Sequence, residues 1–179
     1  MEINLEKLRY PIGKFVCPAE ITTSVILNWI EIIEEFPSKL KNQVEELSNA
    51  DLQKTYRPNG WTIAQVINHC ADSHMNSFIR FKLALTEDSP TIKPYFEDRW
   101  AELPDSNNYP IDDALKILES LHAKWVYLLR SLSEEALNKE FIHPESEERI
   151  SLKRNIGIYA WHCEHHLAHV VNAKKILES

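Results

Sequence analysis

Apolar residues recur at helical spacing in four stretches of the chain, separated by segments rich in turn residues. From about Ala19 to Glu35, the positions Ile21, Val25, Ile26, Trp29, Ile32 and Ile33 mark a first helix. Pro37 is expected to end or kink it, and Leu40, Val44 and Leu47 can resume a helical path from Ser38 to Leu47. Tyr56-Arg57-Pro58-Asn59-Gly60 reads as a turn. Thr62, with Gln65 three residues on, forms a capping-box signature and opens a second helix running to about Thr86. Along it Gln65, His69, Asp72, Asn76 and Arg80 make a polar stripe. Val66, Ile67, Met75, Phe78, Ile79, Leu83 and Leu85 occupy several other angles, so periodicity leaves open whether His69 faces solvent or core.

A third helix follows from Ile111, Leu115, Leu118, Leu121, His122, Trp125, Leu128, Leu129 and Leu132, and it reads as structural. Between it and the second helix lie 24 residues, Glu87 to Pro110, against roughly two to eight for ordinary connections in bundles. That length permits a crossover. Its Tyr95, Phe96, Arg99 and Trp100 could roof a pocket, meet a second subunit, or simply pack as a connector. Ser133-Glu134-Glu135 starts a short helical turn, and Phe141 to Ile150 is a loop or small hairpin. Ser151 can cap a last helix reaching about Leu177, in which Gly157 costs about 1 kcal/mol relative to Ala and permits close packing. Residues 1–18, with Pro11, Gly13 and Pro18, favour an extended arm. The pattern predicts an all-α four-helix bundle, one domain over 1–179, with that N-terminal arm and a long connection between helices two and three.

Composition narrows the function. The formal net charge of −7 carries no basic footprint, which argues against nucleic acid or an anionic membrane as partner. No signal peptide or membrane span is legible, and the chain reads as cytoplasmic. Cys17, Cys70 and Cys163 are odd in number and widely spaced, fitting small buried hydrophobes better than a disulfide framework or zinc ribbon.

The candidate chemistry lies in Tyr159-Ala160-Trp161-His162-Cys163-Glu164-His165-His166-Leu167-Ala168-His169, which holds four of the eight histidines. At about 100° per residue, and with His162 as origin, His166 falls near 40°, His169 near −20° and His165 near −60°, so all four share one side. Either i, i+4 pair, His162/His166 or His165/His169, could close on one metal ion, and a helix with several surface or core histidines is the plainer alternative. A zincin site is excluded, because Cys163 follows His162 where that pattern needs Glu. A metal site here needs at least one ligand from another helix.

Three sets of residues, Tyr56-Arg57-Pro58-Asn59-Gly60-Trp61-Thr62, His69-Cys70-Ala71-Asp72-Ser73-His74-Met75-Asn76, and Tyr159-Ala160-Trp161-His162 with His165-His166, closely resemble the YfiT-like branch of the DinB superfamily. Leu8 to Gly13, Pro90 to Pro94 and Trp100 to Pro104 belong to the same pattern, so the resemblance covers nearly the whole chain. It implies a four-helix bundle with one divalent metal, zinc or nickel, on three histidines matching His69, His162 and His166. It also implies a homodimer. Asn68 stands where related sequences commonly carry a further histidine.

Three neutral imidazoles leave a coordination position open, as in catalytic zinc sites. A water there, its pKa lowered to about 7, can attack an ester or amide. Alternatively a low-molecular-weight thiol binds as thiolate and attacks an electrophile. The resemblance supports both, since members are described as metal-dependent hydrolases while others are S-transferases using bacillithiol, mycothiol or glutathione. Hydrolysis of a small-molecule substrate is placed first because it requires no unidentified cosubstrate. S-transfer is second, and a non-catalytic, metal-stabilised binding or stress-response module is the third reading. Asp72 is a candidate to orient an imidazole or move a proton, and Arg80 and Arg154 are candidates to hold a substrate carboxylate. Each has the plainer alternative of a surface charge or salt bridge.

Overall fold

The computed structural model describes residues 5–177. A single helical turn, α1 (Leu5–Arg9), leads the arm, so the arm is not extended throughout; an irregular segment then runs to α2 (Thr23–Val44). Thr22 caps α2 by accepting from the Val25 N–H. Helix α2 continues through Pro37, so the proline does not end it. Proline removes one N–H, the one that residue 37 would donate to the Ile33 carbonyl. Here His122 Nδ1 donates to that carbonyl instead, at 2.6 Å, so no buried acceptor is orphaned.

A one-turn α3 (Asn49–Leu52) precedes α4 (Ile63–Thr86), whose N-terminus carries the expected capping box: Thr62 Oγ1 accepts from Gln65 N, and Gln65 Oε1 accepts from Thr62 N. The long connection holds two further single turns, α5 (Glu97–Trp100) and α6 (Pro104–Asn107). Gln65 fastens it to α4 by donating through Nε2 to the Ala101 carbonyl at 2.9 Å. Along the polar stripe of α4, Gln65 and His69 are buried, while Asp72, Asn76 and Arg80 are partly covered.

Helix α7 (Asp112–Arg130) and the turn α8 (Glu134–Leu137) lead to an antiparallel hairpin, β1 (Glu140–His143) with β2 (Glu148–Ser151), in which Phe141 pairs with Ile150. The long connection is tied to it through Ile92 N, which donates to the Ile142 carbonyl. Ser151 Oγ then accepts from Arg154 N at the start of α9 (Leu152–Leu177).

Helix α2 packs against α7 and α9, and so does α4, which puts α2 and α4 on one diagonal of the bundle although they are consecutive long helices. The long connections make that order possible. Phe36, Phe81, Trp125, Ile33, Ile67, Leu118 and Ile156 fill the centre. Cys70 and Cys163 are buried within it, as expected of small hydrophobes, but Cys17 is exposed because the arm around it covers little. Among the described residues no helix is long and apolar enough to cross a membrane.

Candidate metal centre

Helices α4 and α9 face each other, and this brings His69 beside His162 and His166 although they are 93 and 97 positions apart in the chain. Each of the three offers one ring nitrogen, and these atoms lie within 4.8 Å of one another. His69 Nε2 and His162 Nε2 are 3.2 Å apart. Two nitrogens bound at about 2.0–2.1 Å to one tetrahedral ion would be separated by about 3.3 Å, so the spacing suits a shared cation. The ring centroids of His166 lie 4.8 Å from His69 and 4.4 Å from His162.

Burial sets the charge state. His69 is pushed down to about 4, first by burial and then by His165. His162 and His166 are held well below their ordinary value, again mainly by burial and secondarily by neighbouring imidazoles. All three rings are therefore neutral at pH 7, the form that can donate a lone pair to a metal. An uncharged set of three nitrogens without a carboxylate fits a divalent transition-metal cation.

A second set, His165, His166 and His169, also has ligand atoms within 4.8 Å of one another and shares His166 with the first. His165 lies stacked on Trp161 at 4.5 Å, and its Nδ1 is buried without a hydrogen-bond partner. His169 stacks on Tyr56 at 3.8 Å, with Nε2 3.2 Å from the Arg9 carbonyl and Nδ1 3.4 Å from His166 Nδ1.

Around the first set lie further polar groups, of which His74, His122 and Ser73 carry no assigned role in the sequence pattern. His74 Nε2 is 3.0 Å from His162 Nδ1, and His74 Nδ1 is 2.7 Å from His122 Nε2. His122 stood within an apolar face, between Leu118 and Trp125, and a lone histidine there was the available signal. Ser73 Oγ lies 3.5 Å from His162 Nε2, while the Tyr159 hydroxyl donates to the Ser73 carbonyl at 3.1 Å. The Tyr95 hydroxyl is buried without a partner.

The remaining candidates are dispersed. Asp72, one turn beyond His69, is partly buried, and its carboxyl is raised to about 6 by burial and then by Asp105. Arg80 lines a cleft of about 310 Å³ with Tyr95, Phe96, Arg99 and His143, and its Nε is buried without a partner. Arg154 Nη1 donates to Glu148 Oε1 at 2.6 Å, an ion pair between α9 and the hairpin. Phe96, at 65% exposure, leaves an aromatic surface in the long connection.

The profile of a family described as the DinB superfamily matches residues 32–170. A protein of Bacillus cereus (strain 03BB102) named "Putative metal-dependent hydrolase" is 52% identical over 173 residues, covering 97% of this chain and 99% of its own. The solved structure of YfiT from Bacillus subtilis, described as "a probable metal-dependent hydrolase with an unusual four-helix bundle topology", superposes with a TM-score of 0.94 at 42% identity, over 96% of this chain and 98% of that one. A mycothiol-dependent maleylpyruvate isomerase shares the fold at 17% identity and a TM-score of 0.64, over 81% of this chain and 60% of its own.

Proposed function

The chain belongs to the DinB superfamily, and from that premise we propose that it is a metal-dependent hydrolase of a small-molecule substrate, with one zinc or nickel ion held by His69, His162 and His166. The observation that carries this reading is the 3.2 Å approach of His69 Nε2 to His162 Nε2 across two helices, with His166 alongside. When bound, a divalent cation supplies Lewis acidity toward a water or substrate oxygen.

The chain's own residues supply the rest. Tyr159 holds Ser73 beside His162 by donating to the Ser73 carbonyl and accepting from the Ser73 hydroxyl, whose oxygen can in turn accept from a substrate donor. The Tyr95 hydroxyl, brought toward Ser73 by the long connection, can donate to a substrate oxygen. Asp72, with its carboxyl near 6, changes protonation close to neutral pH and suits a proton carrier. Arg80 and Arg154 each keep an unpartnered Nε, but Arg154 is already engaged by Glu148, so Arg80 is the better candidate for a substrate carboxylate.

The test is turnover of a panel of esters and amides by the metal-loaded protein without added thiol. Hydrolysis that disappears on chelation and in His166→Ala is expected. Conjugation of an electrophile only when a thiol is supplied would replace hydrolysis with S-transfer. Stabilisation by metal with no turnover of any kind would leave a binding module.

A further inference from the structure

Two backbone carbonyls stand at the outer ends of the histidine cluster, one from Ile33 and one from Arg9. A carbonyl oxygen can only accept, so the ring nitrogen facing it carries the proton, and in a neutral imidazole the other nitrogen is then an acceptor. This rule can be followed inward. His122 presents Nδ1 to the Ile33 carbonyl at 2.6 Å, so its Nε2 carries the lone pair. His74 Nδ1, 2.7 Å away, is therefore the donor to it, and His74 Nε2 becomes the next acceptor. His162 Nδ1 lies 3.0 Å from that atom and must donate, which leaves the lone pair of His162 on Nε2. Nε2 is the atom that approaches His69 Nε2 at 3.2 Å.

The second carbonyl gives the same result by a shorter route. His169 Nε2 donates to the Arg9 carbonyl at 3.2 Å, so His169 Nδ1 accepts. His166 Nδ1, 3.4 Å away, donates to it, and the lone pair of His166 is left on Nε2.

We propose that these two carbonyl-anchored imidazole chains fix the tautomers of His162 and His166 so that both keep an Nε2 lone pair for a cation, making His74, His122 and His169 positioning residues. The proposal rests on the reading of His69, His162 and His166 as the metal centre. The chains require neutral rings, and the burial of His74 and His122 favours that form. Pro37 has a part in the longer chain: by lacking an N–H it leaves the Ile33 carbonyl without its helical donor and open to His122. The assignment also separates the two histidine sets. With both nitrogens of His169 engaged, His165, His166 and His169 do not present three free lone pairs.

The test is long-range ¹H–¹⁵N correlation of histidine-labelled, metal-free protein near pH 7.5, about one unit above the ordinary imidazole value. His74, His122, His162 and His166 are expected to be protonated on Nδ1, the minor form of this side chain in water, and His169 on Nε2. A proton on Nε2 of His162 or His166 would overturn the proposal whatever the metal result. His122→Phe removes the acceptor for His74. It is expected to release His162 into a mixture of tautomers and to weaken zinc binding, measured by competition with a chelator, about 10–100-fold. His122→Gln, whose amide both donates and accepts, is expected to recover most of both effects. An unchanged His162 tautomer in His122→Phe counts against the chain; if that variant does not fold, the wild-type spectrum decides. Zinc binding undiminished in His69→Ala would remove the metal-centre reading while the tautomer result stood on its own.

Discussion

Gly157 lies directly against the indole of Trp29: a Cβ built on Gly157 would meet Cη2 at 2.7 Å and both Cζ2 and Cζ3 at 2.8 Å. Helix propensity alone favours alanine in α9 by about 1 kcal/mol. Overpacking against a bulky ring costs about 1–3 kcal/mol, so the steric effect is the larger. Gly157→Ala is expected to destabilise by about 1 kcal/mol in urea denaturation. In a Trp29→Leu background the same change is expected to become stabilising, and a cycle without that reversal would dissociate the two residues.

The buried histidines make stability acid-sensitive. In the metal-free protein His69 and His122 lie near 4, and His74, His162 and His166 are held well below their ordinary value, chiefly by burial. Above about pH 6.5 both folded and unfolded rings are neutral, and no penalty arises. Below it the unfolded chain binds protons that the folded chain refuses, so stability falls until the folded values near 4 are reached. Each unit of difference is worth about 1.4 kcal/mol per group. The urea midpoint should be flat from about pH 7 to 8 and drop steeply between about 6.5 and 4.

How far the sequence carried the structure differs from residue to residue. Thr62 and Gln65 are local partners, and local chemistry announced the start of α4 correctly. The same kind of local rule does not show that α2 continues past Pro37, because the group that takes up the freed carbonyl, His122, comes from a helix 85 positions away. The shared side of His162, His165, His166 and His169 followed from helical period. The orientation of His69 did not, since the rings packed on it are Trp61, ahead of its own helix, and His162 and His166 on α9. His74 and His122 meet only because α4 and α7 are neighbours, and no periodicity within either helix encodes that.

The two overlapping histidine sets separate experimentally. One zinc or nickel ion per chain, at a free concentration of about 100 times its Kd, should stabilise by about 2.7 kcal/mol, or about 5–10 °C in Tm. His69→Ala is expected to abolish that shift. His165→Ala removes a ring with no hydrogen-bond partner on Nδ1 and is expected to leave the shift within about 1 kcal/mol of wild type. The reverse pattern, measured by calorimetry, would move the ion to His165, His166 and His169.

Asp72 distinguishes function from stability in a single variant. Its folded carboxyl, near 6, lies above the unfolded value of about 3.9, so the fold favours the protonated form. The associated stability is complete below about pH 4 and is lost as pH rises through about 6. Asp72→Asn, which cannot ionise, should therefore match the wild type at about pH 4 and exceed it at about pH 8. Partial exposure screens the gain to about 1 kcal/mol. A proton carrier, in contrast, is indispensable to turnover, and its loss costs about 10²-fold or more. Asp72→Asn is thus expected to be more stable at pH 8 and nearly inactive. Higher stability with undiminished kcat would leave Asp72 as a strained surface carboxylate and transfer the proton-carrying role elsewhere.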